Sequence, residues 1–186
     1  MRDLSKPTVP SDAIQRRFAE ETQARKAAAE PAASLADGEG SPAELREALA
    51  AAVEGLAGEI VALSHAVHDN PEVGYEERFA VSTVADLLRA HGIEPDVGVY
   101  GMETALRAEF TGAVGNTDSV GAVDNAGNAD SPAPAIAILA EYDALPGIGH
   151  GCGHNVMAGN SVGAFLALHE LERRRPGSVP GRVVLQ

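Results

Sequence analysis

The sequence has one cysteine, no tryptophan and no lysine after Lys26. Because a single cysteine excludes a disulfide within the chain, Cys152 is an inert core residue, a metal ligand or a nucleophile. Aromatic residues make up only 4 % of the chain and hydrophobic residues 45 %, so alanine, valine and leucine must fill the core. This composition suits one globular domain that carries a tail.

The charge balance is acidic, with a formal net charge of −13. Such a surface repels phosphate backbones, so nucleic acid is excluded as an expected partner. The sequence has no uninterrupted stretch of about 20 apolar residues. Charged residues also interrupt the amino-terminal segment where a signal peptide would have its apolar centre. We therefore expect a cytoplasmic protein with no membrane partner, which agrees with a reduced cysteine.

The composition changes along the chain. Residues 1–41 are polar and rich in alanine and glutamate, which predicts a largely disordered leader with only transient helix near residues 11–29. Residues 42–186 are predicted to form the folded part. Within it, residues 111–134 are rich in glycine, asparagine and aspartate, and this composition predicts a flexible surface insertion.

Two helices are predicted at the start of the folded part. Ser41 and Pro42 are typical of a helix start, with a polar cap before a proline in the first turn, and this helix extends to residue 67. The second helix covers residues 77–91 and ends at Gly92. Apolar residues at spacings of three and four are predicted to face the core: Leu45, Leu49, Val53, Leu56, Ile60 and Leu63 in the first helix, and Phe79, Val84, Leu87 and Leu88 in the second.

Strands and helices alternate in the rest of the folded part. The apolar run at residues 135–140 is short, unbroken and flanked by prolines, which predicts a buried strand. This alternation predicts a three-layer α/β fold with a mostly parallel sheet and helices on both faces. The other predicted elements are strands near residues 96–100 and 105–110, a helix over residues 156–175, and a strand that begins at Arg182.

An acid, a thiol and imidazoles follow the strand predicted at residues 135–140. Asp143 lies just past its carboxyl end, the edge at which open α/β sheets bind ligands. Cys152 and His154 are two residues apart, so in an extended backbone their side chains point the same way. A thiolate and an imidazole suit zinc, and an imidazole with carboxylates also suits manganese or cobalt. The segment therefore predicts a divalent-metal site.

Other interpretations of Cys152 stay open. A lone cysteine is often a small buried hydrophobe, although the glycines on both sides of Cys152 disfavour a packed core. In a cysteine hydrolase the thiol would be the nucleophile, but His154 is badly placed in a tight loop to remove its proton. The chain could also be a non-catalytic metal-binding or subunit-assembly module of a split enzyme.

Two motifs in the chain resemble a known family. Glu141-Tyr-Asp-Ala-Leu-Pro-Gly-Ile-Gly-His-Gly-Cys-Gly-His-Asn155 and His68-Asp-Asn-Pro-Glu-Val-Gly-Tyr-Glu76 are similar to motifs of the metal-dependent amidohydrolases. This family includes aminoacylases, glutamate carboxypeptidases and indole-acetyl-amino-acid hydrolases. The chain is most similar to the aminobenzoyl-glutamate hydrolase and β-alanyl-lysine dipeptidase branch. The resemblance covers residues 42–186 apart from the insertion.

The resemblance implies the catalytic domain of a zinc-exopeptidase-like fold, incomplete at its carboxyl end. Such an enzyme cleaves an amide or peptide bond of a small N-acyl amino acid or dipeptide with metal-activated water. A Glu-Glu pair that supplies the general base and another ligand is expected beyond residue 186, together with a lid and dimerisation domain. We therefore expect residues 1–186 to be inactive alone, and the full-length family member to be a homo-oligomer.

The resemblance also implies roles for individual residues. Cys152 and His154 correspond to metal ligands, and Asp143 corresponds to the catalytic acid beside the metal. Glu141 stands where the carboxypeptidase branch has a histidine ligand. Two residues are expected to shape the site, His150 by hydrogen-bonding a ligand or substrate and Asn155 by capping the helix that follows. Two further motif residues, His68 and Glu72, are expected to orient the wall of the site.

Overall fold

The computed structural model describes residues 13–28, 40–113 and 135–186. The chain forms two compact units, Met1–Gly40 and Ser41–Gln186. In the first unit, helix α1 (Ala13–Ala28) occupies most of the stretch for which only transient helix is predicted. The rest of the predicted leader, and residues 114–134 of the predicted insertion, lie outside the described residues.

Helix α2 (Ala43–Asp69) begins the second unit and supplies part of its core. Its buried residues are Ala52, Leu56, Leu63 and Val67, whereas Val53 is exposed. Placing Val53 in the core is wrong because Ala52 lies within about 40° of Leu56 and Leu63 around the helix, whereas Val53 is about 60–80° away from them. The predicted Ser41 cap is also wrong, since Pro42 occupies the N-cap position without a side-chain cap.

Hydropathy alone would allow α2 to cross a membrane, with a mean of 1.3 over an 18-residue window. This finding differs from the expectation that no stretch of the chain is apolar enough to cross a membrane. The length and hydropathy of α2 are weak evidence for a membrane span, because the core helix of a soluble protein can have the same length and hydropathy.

Helix α3 (Arg78–Ala90) packs against α2 through an apolar face that includes Ala80, Val84 and Leu88. Phe79 is exposed, so its predicted inward position is wrong. It lies about 100° around the helix from Ala80, which takes the core-facing position in the first turn. Gly92 follows the helix with φ +79°, the left-handed conformation that glycine adopts without steric cost.

The second unit contains a four-stranded sheet among its described residues. Its order is β1 (Asp96–Val97), β2 (Leu106–Thr111), β4 (Arg182–Leu185) and β3 (Ala135–Ile138). The predicted strand at 96–100 is shorter than expected, since a 3₁₀-helix (Val99–Gly101) follows β1.

The α/β class is confirmed, but the described sheet is mixed and not mostly parallel. Strand β3 pairs with β4 in parallel, whereas β1–β2 and β2–β4 are antiparallel pairs. The connection from β1 to β2 is too short for the crossover helix that parallel neighbours require.

Strand β3 lies at the edge of the described sheet, with β4 as its neighbour. Ile136 is 58 % exposed and Leu139 is 64 % exposed, so the prediction of a buried strand is wrong for these residues. Side chains of a strand point to the two faces of its sheet, so their burial depends on which elements pack over those faces, and the apolar run alone does not specify this.

Helix α4 (His154–Arg174) begins at the candidate site and continues through the core. Phe165 and Leu166 are fully buried, and Val162 lies beside them. Glycines at the contact between α4 and α2 allow a close approach, since a Cβ added at Gly163 would lie 2.4 Å from Ile60 Cδ1. Packing of α4 on α2 therefore fixes where its first residue, His154, lies.

Candidate metal site at the end of strand β3

The imidazole of His154 lies between two carboxylates. Its Nδ1 is 2.8 Å from Asp143 Oδ1 and 3.1 Å from the Asp143 carbonyl oxygen. Its Nε2 is 3.0 Å from Glu141 Oε2. Because successive side chains of an extended segment alternate in direction, Glu141 and Asp143 share one side and flank the ring. The structure thus brings together three residues selected from the sequence.

Tyr142 holds this segment from its opposite side. Its hydroxyl donates a hydrogen bond to the Thr104 carbonyl oxygen at 2.5 Å. The Thr104 hydroxyl in turn donates to the buried carboxylate of Glu77 at 2.6 Å. Burial, with the negative charge of Glu77 as a smaller cause, raises the pKa of Tyr142 to about 12. The phenol therefore stays a donor at neutral pH.

Tyr142 and Thr104 were not selected from the sequence as site residues. The order Glu141-Tyr142-Asp143 could have indicated a role for Tyr142. In an extended segment the tyrosine points to the side opposite the two acids, so a contact there would orient both acids. The partner of Tyr142 comes from a separate loop 38 positions away, which local spacing does not reveal.

The motif around Glu72 forms the wall beneath this segment. The Ala144 backbone N–H donates to the Glu72 carbonyl oxygen at 2.7 Å. The Glu72 carboxylate accepts from the backbone N–H groups of Phe79 at 2.9 Å and Ala80 at 3.0 Å. These N–H groups belong to the first turn of α3, where helix donors lack internal partners. Glu72 thus joins the start of α3 to the chain beside Asp143.

His68 and His150 lie near each other at the end of α2, with ring centroids 6.2 Å apart. His150 Nε2 donates to the Val67 carbonyl oxygen at 3.0 Å. Its Nδ1 is buried and has no hydrogen-bond partner among the described residues. The hydrogen bond from His150 to a ligand stays a prediction. The bond from His150 to the Val67 carbonyl oxygen is a contact within the protein itself.

Asn155 does not cap α4, so that prediction is wrong. Gly153 is the N-cap residue, with φ +80° and no side-chain cap, and Asn155 lies inside the helix. Its buried amide donates to the Ser64 hydroxyl at 3.1 Å and the Ser64 carbonyl oxygen at 3.3 Å. Asn155 therefore ties the start of α4 to α2.

Cys152 is exposed and forms no disulfide. Burial as an inert core residue is therefore wrong. Its thiol makes no hydrogen bond to a histidine within the described ranges. In the same ranges, no group of three or more His, Cys, Asp and Glu side chains is arranged to hold a metal ion.

The donor chemistry nevertheless fits a divalent metal. A metal-binding histidine usually donates its other ring N–H to a carboxylate, and the Nδ1 contact of His154 with Asp143 has this form. Nε2 would then be the nitrogen available to an ion, with the Glu141 carboxylate close by. The exposed thiol of Cys152 adds a soft donor two residues away.

Comparisons with known proteins give partial matches. No family model matches the chain. The Xaa-Arg dipeptidase of Mus musculus is 32 % identical over 147 residues, covering 76 % of this chain and 31 % of that protein. The Xaa-Arg dipeptidase of Homo sapiens is 36 % identical over 114 residues, covering 58 % of this chain and 23 % of that protein. The chain thus spans at most about a third of these relatives.

A similar fold occurs in a solved Bacillus subtilis structure described as a dinuclear metal binding peptidase from the M20 family. The TM-score is 0.51 at 20 % sequence identity, and the match covers 71 % of this chain and 34 % of that one. At this identity the match supports the fold alone.

Proposed function

Because the chain belongs to the family of metal-dependent amidohydrolases and peptidases, we propose that it forms the amino-terminal part of a hydrolase. The proposed reaction is cleavage of an amide or peptide bond in a small N-acyl amino acid or dipeptide. The observation that carries this proposal is the position of His154 between the carboxylates of Asp143 and Glu141. This cluster lies beyond the carboxyl end of β3, where α/β sheets bind ligands.

Asp143 has the role of orienting His154 in this proposal. A hydrogen bond from Nδ1–H to Asp143 fixes the ring and leaves Nε2 for the ion. Residues proposed to hold the metal are His154 and Cys152, with Glu141 as an oxygen donor within reach. This donor set suits zinc or manganese, and cobalt is a third candidate.

A bound divalent ion would polarise the substrate carbonyl and lower the pKa of its bound water to about 7. A nearby carboxylate would accept a proton from this water as general base and then deliver it to the leaving amine as general acid, which is worth about 10²–10⁴-fold in rate. We propose that this carboxylate belongs to the Glu pair that the family resemblance implies after residue 186. We therefore propose that residues 1–186 bind metal but give negligible hydrolysis by themselves.

Metal titration of residues 1–186 tests this proposal. Isothermal titration with zinc is expected to give a dissociation constant that rises by at least about tenfold in His154→Ala and in Cys152→Ala. His65→Ala is the matched control, because His65 is exposed on α2 outside this cluster, and its affinity should equal that of the parent chain. Equal affinities for all four proteins would reject the assignment.

We also infer a cytoplasmic location. A single exposed cysteine agrees with a reducing compartment. The packing of α2 into the core through Leu56, Leu63 and Val67 favours the interpretation of that helix as part of a globular domain.

A further inference from the structure

Two arginines at the end of α4 are held by one carboxylate. Glu170 accepts hydrogen bonds from Arg173 Nε at 2.8 Å and Arg173 Nη2 at 3.0 Å, and from Arg174 Nε. Chiefly the bonds from Arg173 lower the pKa of Glu170 to about 2, so this carboxylate stays charged at neutral pH. The side chain of Glu170 is only 19 % exposed. Glu170 therefore orients both guanidinium groups.

Both guanidinium groups keep N–H donors that Glu170 does not use. Arg173 bonds Glu170 through Nε and Nη2, which leaves Nη1, and Arg174 bonds it through Nε, which leaves both Nη groups. Guanidinium N–H groups match the geometry of carboxylate and phosphate oxygens. Because one carboxylate neutralises only one of the two positive charges, the oriented pair can still bind an oxyanion.

The two arginines form one wall of a cavity of about 480 Å³ between α2, α3 and α4. Small or apolar residues form its floor: Ala51, Ala52, Gly55, Leu56 and Ala90. A Cβ added at Gly55 would meet nothing within 4 Å, so the floor is open at this position. The cavity lies at the opposite end of α4 from His154, about four turns or about 24 Å along the helix. It is therefore separate from the candidate metal site.

The acids of the cavity limit the charge of its ligand. Glu59 also lines it, with its Oε2 2.9 Å from His91 Nε2. Together with Glu170, this places two carboxylates beside the two guanidinium groups, so the net charge of the cavity is small. The cost of removing an ion from water rises with the square of its charge. A monoanion such as a carboxylate is therefore favoured over a dianion such as phosphate.

We propose that this cavity binds the carboxylate of a small aliphatic acid. The ligand oxygens would accept hydrogen bonds from the unused N–H groups of Arg173 and Arg174. Its carbon chain would lie on the alanines of α2 and α3. Such a ligand would contact three helices at once and stabilise their packing. The proposal does not depend on the hydrolase function, because it uses none of the residues assigned to the metal site.

Two matched probes test the site. Hexanoate and hexanamide have the same carbon chain and differ in charge. NMR titration of the isotope-labelled chain measures both affinities and shows which residues shift. We expect hexanoate to bind at least about threefold more tightly than hexanamide, because hydrogen bonds to an ionised group are about twice as strong as neutral ones. Hexanoate should also raise the unfolding temperature, since it binds the folded state.

A substitution in the floor locates the binding without changing a charge. Gly55→Leu would place a side chain in the cavity and should weaken hexanoate binding at least about fivefold, through loss of apolar contact with the floor. Gly58→Leu is the matched control, because Gly58 lies on the same helix and does not line the cavity. A Cβ added there also meets nothing within 4 Å. Leucine favours a helix over glycine, so both variants should fold.

A second pair of variants tests the charge. Arg174→Gln should weaken hexanoate binding about two- to fivefold and leave hexanamide binding unchanged. Arg78→Gln is the control, since Arg78 is an exposed arginine paired with Glu103 and does not line the cavity. Its affinity for hexanoate should equal that of the parent chain.

Three outcomes would overturn the proposal. The first is equal affinity for hexanoate and hexanamide, and the second is an equal loss in Gly55→Leu and Gly58→Leu. The third is tighter binding of inorganic phosphate than of hexanoate, which would reject the carboxylate class. None of these measurements requires metal or turnover, so their failure leaves the hydrolase proposal standing.

Discussion

The Tyr142 hydroxyl donates a hydrogen bond to the Thr104 carbonyl oxygen, and this bond sets the direction of the two acids on either side of Tyr142. With the tyrosine held on one side of the segment, Glu141 and Asp143 are directed to the other side, where His154 lies between them. The loop that contains Thr104 thus positions the candidate site without contacting His154.

Tyr142→Phe tests this positioning role. Loss of the hydroxyl leaves a partly buried carbonyl without its donor, which should lower the free energy of unfolding by about 1–2 kcal/mol and weaken zinc binding. Urea unfolding followed by circular dichroism measures the first effect, and zinc titration measures the second. Tyr100→Phe is the control, since its exposed hydroxyl only accepts a bond from Gln186. Indistinguishable results for the two variants would contradict the role.

Alkaline pH should act on the same bond. The pKa of Tyr142 is raised from 10.0 to about 12 in the folded protein. The contribution of its protonated form to stability is therefore complete below pH 10 and disappears as the pH rises through 12. We expect a phenolate absorbance step near pH 12 and a loss of stability over this window. Tyr142→Phe should lack both; a step that persists in this variant would refute the assignment.

The buried carboxylate of Glu172 joins two segments of backbone to α4, at residue 113 and at residues 177–179. It accepts hydrogen bonds from the N–H groups of Ala113 at 2.7 Å, Gly177 at 2.7 Å and Val179 at 2.8 Å. Glu172→Gln replaces one acceptor oxygen with a donor, so at least one backbone N–H loses its partner. The free energy of unfolding should fall by about 2–3 kcal/mol.

Glu94→Gln is the control for Glu172→Gln. It removes a carboxylate from an exposed pair with Arg89, and surface pairs contribute about 0–1 kcal/mol. Chemical unfolding of both variants measures the difference. Equal losses would mean that Glu172 has no special part in holding residue 113 and residues 177–179 against α4.

Gly163 lies where α4 packs on Ile60 of α2. An added Cβ would lie 2.4 Å from Ile60 Cδ1, so the Ile60 side chain must leave its rotamer, and Gly163→Ala should leave the fold about 0.5–1.5 kcal/mol less stable than Gly55→Ala does. Gly55→Ala is the matched helix control, because nothing lies within 4 Å of its added Cβ, and it should stabilise the fold by about 0.5–1 kcal/mol. Thermal unfolding distinguishes the two.

A double variant checks the physical cause of the Gly163→Ala effect. If the clash with Ile60 is responsible, adding Ile60→Ala should recover part of the lost stability, apart from the cost of the truncation itself. Strictly additive losses in the double variant would show that another contact is responsible.

Much of the candidate site could be predicted because its signal is local. Asp143 directly follows a strand, and the spacing of the acids and imidazoles along one short segment indicates their chemistry without knowledge of the fold. The resemblance of this segment and of the His68–Glu76 segment to one family is likewise a property of short continuous sequences. The structural role of Glu72 could also be predicted from a short segment, because its carboxylate binds the backbone of Phe79 and Ala80, which follow it closely in the sequence.

The errors arise where distant contacts decide the outcome. Val53 is more apolar than Ala52, yet the small residue faces the core because of the phase of α2. The apolar run at β3 indicates burial, but Ile136 is exposed, because burial depends on which elements pack over the faces of the sheet. The side chain of Asn155 could cap a helix, but its amide donates a hydrogen bond to Ser64 on helix α2 instead. The partner of Tyr142 lies on a different loop.

The central claim is that His154 binds a metal through Nε2 while Asp143 holds Nδ1, and nitrogen-detected NMR of the histidine rings tests it most directly. On addition of zinc to residues 1–186, we predict a large shift of the His154 Nε2 resonance, with Nδ1 remaining protonated and hydrogen-bonded to Asp143. A zinc-dependent shift at Nδ1, or a His154 spectrum that zinc leaves unchanged, would contradict the account.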